Sequence, residues 1–244
     1  QVEYAMEAVK QGGCAVGIRG EEHAVLATLK RSQNELSSFQ RKVFKIDDHV
    51  GIAAAGLIGD GRLLCRFMRN ECVNHRYAFE NDLPVGRLVR DVADRSQVAT
   101  ARSWRRPYGV GLLVAGYDQT GPHLYNTCPS GNYYEYVAMA IGGRSQASKT
   151  YLEKNFESFS ECSLEELIKH ALVAVRESIE KKQPTLSKKN CTVAVVGKDT
   201  AFTVYEEEEL QPYLDAIALP DAPEPEPEAP AAEGGEMAVD QGEG

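Results

Sequence analysis

The chain has 244 residues, enough to bury one good core in one or two domains. Hydrophobic residues make up 43% and charged residues 26%, the balance of an ordinary globular protein, and no apolar run is long enough to span a bilayer. The net charge of −9 is concentrated at the C-terminus, where residues 221–244 hold eight acids and no base; the remainder is close to neutral and offers no basic face for nucleic acid.

The opening, residues 2–10, reads as a helix of Ala, Met, Glu and Lys, uninterrupted until Gly12-Gly13. It carries Glu3, Glu7 and Lys10 and is amphipathic, unlike the basic-then-apolar pattern of a signal peptide, so an intracellular protein is expected. Strand-like runs follow at 14–20, 24–29, 43–46 and 50–55, then helices at 62–77 and 83–102. A buried strand at 110–116 leads through Asp118-Gln119-Thr120-Gly121 to 123–126, a hairpin signal. One strand is expected at 134–141 and a third helix at about 145–159.

The next helix is the clearest element. Ser163-x-x-Glu166 is a capping box, Cys162 and Leu167 are placed for a hydrophobic staple, and apolar residues recur at helical spacing from Leu164 to Ile179. Strands at 192–196 and 202–205 flank a Gly197-Lys198-Asp199-Thr200 turn, and 206–214 is expected to form a last helix. The Pro/Glu-rich segment 215–244 lacks aromatics and aliphatic periodicity and reads as a solvated, disordered tail behind a folded body, 1–214. Strand groups joined by hairpins and separated by helix pairs imply an α+β fold. Two antiparallel sheets flanked by helices, a four-layer αββα sandwich, fit this order, and pattern alone equally allows a generic α+β arrangement.

The cysteines at 14, 65, 72, 128, 162 and 191 form no C-x-x-C, and the histidines at 23, 49, 75, 123 and 170 form no H-E-x-x-H, so no metal site is expected and no cofactor. Cys65 and Cys72 lie on one helix face, as core packing requires. Gly143-Arg144-Ser145-Gln146-Ala147-Ser148-Lys149-Thr150 imitates a phosphate-binding loop but has Ser148 where the second glycine belongs; helix capping is the plainer reading. Trp104-Arg105-Arg106 lies in a loop and reads as a structural or ring-contact segment rather than a nucleic-acid site.

Arg106-Pro107-Tyr108-Gly109-Val110-Gly111, with Gly56-Leu57 and Asp60-Gly61-Arg62, is similar to motifs of proteasome alpha subunits, as is the opening helix before the first strand. The resemblance covers nearly all of 1–214. Lys30-Arg31, Arg62-Leu63-Leu64-Cys65, Thr127-Cys128-Pro129-Ser130 and Val196-Gly197-Lys198-Asp199 point to one alpha type within the family. It implies an N-terminal nucleophile hydrolase-like fold and a place in a seven-membered ring of alpha subunits, stacked on catalytic beta subunits. It also implies control of substrate entry, docking of regulatory-particle C-terminal tails, and residence in cytoplasm and nucleus. The chain begins at Gln1, where the family's gate segment should already have ended, so a fragment is expected and no gating residue is assigned.

Beta subunits work through an N-terminal threonine, an acid and a lysine. Aligned on Val16-Gly17, the nucleophile position falls at about Gly13 and the acid position near Leu29; only Lys42 matches, so no catalytic residue is expected. The resemblance gives Lys42 another role, receiving the C-terminal carboxylate of activator tails, with Glu3, Gly56 and Leu57 lining the same pocket; Met6 replaces a further basic residue. The plainer alternative is a surface lysine before a strand. Two enzyme readings compete with the ring role: a hydrolase processed to expose Cys14 as its N-terminal nucleophile, and a nucleotide-dependent enzyme using Ser148–Thr150.

Overall fold

The computed structural model describes residues 1–31, 36–179 and 186–217. Helix α1 (Val2–Gln11) precedes strands β1 (Ala15–Arg19), β2 (His23–Leu29), β3 (Val43–Asp47) and β4 (Val50–Gly56). Helices α2 (Ile58–Phe79) and α3 (Val85–Ala101) follow, then β5 (Val110–Asp118), β6 (Gly121–Thr127), β7 (Tyr133–Glu135) and β8 (Ala138–Ile141). Helices α4 (Ser145–Asn155) and α5 (Leu164–Glu177), strands β9 (Cys191–Gly197) and β10 (Thr200–Tyr205), and helix α6 (Gln211–Asp215) complete the order. No helix among the described residues is long and apolar enough to cross a membrane.

The strands form two antiparallel five-stranded sheets, ordered β10-β9-β2-β1-β8 and β3-β4-β5-β6-β7. Period-two alternation explains the layering. In β1, Ala15 faces the opposite sheet while Val16 and Ile18, with Cys14 just before the strand, meet Leu167, Ile168, Leu172 and Val175 of α5. In β4 and β5, Ile52, Leu112 and Val114 pack under Leu64 and Met68 of α2 and Leu88 and Val92 of α3. The layer between the sheets mixes Ala15, Ala24, Ala53, Ala55, Ala115 and Ala194 with Leu26, Leu113, Leu124 and Phe202. Small residues there let two pleated faces approach, and the few large ones fill the gap. This is the expected αββα sandwich, with strands β4, β5 and β9 almost wholly buried because both of their faces are covered.

The capping box forms: Ser163 Oγ accepts from Glu166 N–H, and Ser163 N–H donates to Glu166 Oε2 at 2.8 Å. Cys162 packs against the cluster that holds Leu167, as the staple requires. Cys65 and Cys72 are both buried under the second sheet, and burial, aided by the Asp47 charge, pushes the Cys72 thiol up to about 12.

Three expectations need correction. The single strand at 134–141 is two strands in different sheets. The chain leaves β7 and crosses the sandwich in two residues: Tyr136 N–H donates to Leu124 O of one sheet, and Val137 O accepts from Arg19 N–H of the other. Alternation of side chains reports a strand's faces, not its partner. The helix expected at 145–159 stops at Asn155 and tightens into a 3₁₀ turn, Phe156–Ser158, which delivers Phe159 fully buried beneath α5. The last segment divides into a 3₁₀ turn, Glu207–Leu210, and the short α6. Packing continues to Ile217, whose carbonyl accepts from Arg176; the rest of the expected tail lies outside the described residues.

Candidate functional site

Four elements meet where α1 ends. Gly12 and Gly13 join α1 to β1; Leu29 closes β2; Lys42 stands just before β3; Gly56 and Leu57 join β4 to α2. The join is made by backbone. Gly56 has φ +113°, and a Cβ there would lie 2.3 Å from Gly109 O; a Cβ on Gly12 would lie 2.3 Å from Gly56 N. Only glycine permits this approach and this conformation, so the glycine pair after the helix is a packing requirement as well as a stop signal.

Lys42 is 4% exposed, so it is not the surface lysine of the plainer reading. Its Nζ donates to Gly13 O at 2.8 Å and, more weakly, to Leu29 O at 3.5 Å. An ammonium carries three donors, and these are its two acceptors among the described residues. Burial pulls its pKa down to about 8; the Cys14 side chain opposes that shift and Arg31 adds to it. The three positions that hydrolase chemistry would assign to nucleophile, acid and lysine thus converge in space. Glycine and leucine contribute only carbonyl oxygens to that centre. A Cβ at Gly13 would sit 2.5 Å from Lys42 Nζ and 2.7 Å from Leu29 O, which leaves no room for a side chain unless both Lys42 and the Leu29 backbone shift.

Cys14 faces away from this centre into the layer beneath α4 and α5, 1% exposed. Its thiol lies 3.6 Å from Ser148 Oγ, and burial pushes its pKa up against the Ser148 and Ser178 hydrogen bonds and the Lys42 charge. A buried thiol with raised proton affinity suits packing rather than nucleophilic attack. The phosphate-loop imitation fails for a related reason: Ser148 is fully buried and donates to Ala174 O, one turn inside α4. The helix-capping alternative fails as well, since α4 starts after Arg144 without a side-chain cap.

Gly56 is half-buried and Leu57 is 50% exposed, side by side at the rim. Glu3 is exposed in the first turn of α1, roughly 13 Å along the helix axis from Gly12. It makes no ion pair with Lys42 among the described residues. The chain by itself therefore gathers Lys42, Gly56 and Leu57 around the end of α1 and leaves Glu3 at the far end.

Sequence reasoning missed how two of its own motifs combine. Asp60, 5% exposed in the first turn of α2, receives Arg106 through two bonds, Nη1 to Oδ2 at 2.6 Å and Nη2 to Oδ1 at 2.8 Å. Gly109 N–H adds a third bond to Oδ2 at 2.9 Å. Burial works to raise the carboxyl pKa, but the Arg106 fork and the Gly109 amide outweigh it and hold it low. Asp60-Gly61-Arg62 and Arg106-Pro107-Tyr108-Gly109 are two halves of one clamp. It fixes the start of β5 against the start of α2, and with them the Leu57 N–H···O Gly109 bond of 2.8 Å. The available signal was an acid in one motif and an arginine in the other.

Comparison with known proteins agrees with this architecture. A family model described as proteasome subunit matches residues 9–196. Proteasome subunit alpha type-1 of Dictyostelium discoideum is 58% identical over 217 residues, covering 89% of this chain and 88% of that protein. Proteasome subunit alpha type-1 of Trypanosoma brucei rhodesiense is 49% identical over 218 residues, covering 89% and 82%. A probable proteasome subunit alpha type-6 of Schizosaccharomyces pombe is 45% identical over 241 residues, covering 96% and 88%. With the sandwich fold, the Asp60–Arg106 clamp and these relatives in agreement, the chain belongs to the proteasome subunit family, among its alpha-type members.

Proposed function

We propose that this chain is a non-catalytic subunit of the alpha ring of the 20S proteasome core. In this reading it packs beside other alpha subunits in a seven-membered ring and on the beta ring, and helps control substrate entry in ATP- and ubiquitin-dependent protein degradation, in cytoplasm and nucleus. The observation that carries the non-catalytic reading is the centre around Gly13. The lysine is present, but the nucleophile position has no hydroxyl and no space for one. Its nitrogen is a peptide amide behind an ordered helix rather than a free amine. The rival hydrolase reading needs Cys14 exposed and ionised, and its burial argues against both.

The docking role rests on Lys42. At a pKa of about 8 its ammonium is about nine-tenths protonated at pH 7, and it has one donor more than its two backbone acceptors among the described residues. A C-terminal carboxylate arriving along the rim formed by Gly56 and Leu57 would supply the missing acceptor and raise that pKa again. Glu3, at the far end of α1, fits the pocket only as a contribution to its outer wall.

Native mass spectrometry of a tagged copy purified from its own cells tests the ring role. A large particle containing alpha-like and beta-like partners, with residues 1–12 retained, supports it. A small oligomer cut before Cys14 refutes it. Within that particle, Lys42→Ala is expected to weaken binding of activator tail peptides while leaving assembly intact; unchanged affinity refutes the pocket.

A further inference from the structure

At the opposite end of β3 and β4 from Lys42, three segments converge on a second polar cluster. Asp47 ends β3, His49 stands just before β4, and Asp82 lies in the loop between α2 and α3. His49 is 9% exposed. Its Nε2 lies 2.8 Å from Leu83 O, a carbonyl that can only accept, so Nε2 carries a proton and, in the neutral ring, Nδ1 presents a lone pair. That buried Nδ1 has no hydrogen-bond partner among the described residues. Asp47 Oδ2 lies 3.9 Å from it, so in the neutral ring an acceptor faces an acceptor. A buried acceptor left in this state is costly, and a cation between the two atoms would relieve it.

The surroundings are arranged for a ligand set. Asp47 Oδ1 is oriented by the N–H of Asp48 at 2.8 Å. His49 is oriented through its other nitrogen by a backbone carbonyl, the second contact that metal-binding histidines commonly make. The ligand atoms of Asp47, His49 and Asp82 lie within 4.8 Å of one another. The cluster also sits beside the C-terminal end of α2, whose free carbonyls favour positive charge. One positive group is already there: Arg76 Nη2 donates to Asp47 Oδ2 at 2.8 Å and to Asp82 Oδ1 at 2.6 Å. It serves both carboxylates and leaves Nδ1 unserved. Its side chain is 46% exposed and borders a solvent-open groove of about 1110 Å³.

We propose that Asp47, His49 and Asp82 form a binding site for a divalent transition-metal cation, with Zn²⁺ the best fit to one imidazole nitrogen and two carboxylates, and that Arg76 is the resident competitor for it. Ordinary zinc–ligand distances of about 2.0–2.2 Å require the three atoms to draw in by roughly 1 Å, a shift that falls to the exposed Asp82 side chain. Metal then ties the α2–α3 loop to the β3–β4 turn. The sequence expectation of no metal site was based on motif spacing, and this set is assembled from residues up to 35 positions apart in a pattern no short motif describes.

The test is calorimetric titration of the full chain with Zn²⁺, alongside D82N and R76Q. Asp82 is exposed, so D82N folds, and neither substitution alters a cysteine. The expected result is one saturable equivalent in the unsubstituted chain, weakened at least about tenfold in D82N and tightened in R76Q. Absence of that equivalent, or equal binding in D82N, which would place the ion on thiols elsewhere, overturns the proposal. So does weaker binding in R76Q.

Discussion

Replacing Lys42 by methionine separates the charge of this buried residue from its shape. The folded ammonium has a pKa of about 8 against an ordinary value of 10.5. Because the folded-state value is the lower one, the unfolded chain holds this proton more tightly between pH 8 and 10.5. Stability from this group therefore rises with pH across that window and is flat below it. Between pH 7 and pH 9.5 the gain amounts to about 2 kcal/mol. Lys42→Met lacks it, while the tyrosine, cysteine and other lysine titrations are common to both proteins and cancel in the difference. At pH 7 the variant also forfeits the hydrogen bonds to Gly13 O and Leu29 O, a loss of about 1–3 kcal/mol that offsets relief from the buried charge. The two proteins should thus have similar urea midpoints at pH 7. The unsubstituted chain should pull ahead by about 2 kcal/mol at pH 9.5. A difference independent of pH would refute the reasoning, because it would mean that the ammonium titrates as if in water.

Three further substitutions probe the scaffold. Arg106→Ala strands the Asp60 carboxylate with Gly109 N–H as its remaining donor; because the Arg106 side chain is itself mostly exposed, the cost in urea unfolding at pH 7 should be about 1–2 kcal/mol. That cost should shrink as acid protonates Asp60, whose folded pKa is held low; a cost unchanged on acidification would contradict the clamp. Gly13→Thr places a Cβ 2.5 Å from Lys42 Nζ and should destabilise by about 1–3 kcal/mol while producing no cleavage of fluorogenic peptides, because the preceding residues keep its nitrogen an amide. Ser163→Ala removes the hydroxyl of the capping box and should lower stability by about 1 kcal/mol, read as a small fall in melting temperature with unchanged helix content.

Local chemistry was legible where one segment contains its own partners. The Ser163–Glu166 box, the stripe from Leu167 to Val175 and the β5–β6 hairpin were all readable, because period and cap depend on neighbours in sequence. The resemblance to alpha subunits then supplied the layer order, which periodicity left open between a sandwich and another α+β arrangement. What escaped was whatever depends on the far partner. Residues 134–141 alternate like one strand, yet β7 bonds to β6 and β8 to β1. Asp60 and Arg106 were each noticed, but their bidentate pair spans the whole of α2 and α3. Lys42 was visible as a residue type in the right motif; its burial follows from Gly13 and Leu29 closing over it, and no pattern around position 42 announces that. His49 escaped for the same reason, since its unshared lone pair exists only once Leu83 has taken the other nitrogen.

The two sheets differ in how they are drawn from the chain. The sheet under α2 and α3 is a meander, β3 to β7 in sequence order, with every pairing between consecutive strands. The other sheet brackets it: β1 and β2 come from the start of the chain and β8, β9 and β10 from its later part, so β2 pairs with β9 across more than 160 residues. During synthesis the meander and its two helices can close as soon as they emerge. The β1–β2 hairpin, marginal alone, must wait with both edges open until β8 and β9 arrive. The first strands made are thus among the last to be completed, and the interval in which their bare edges are available to other chains is set by the time needed to translate everything between them.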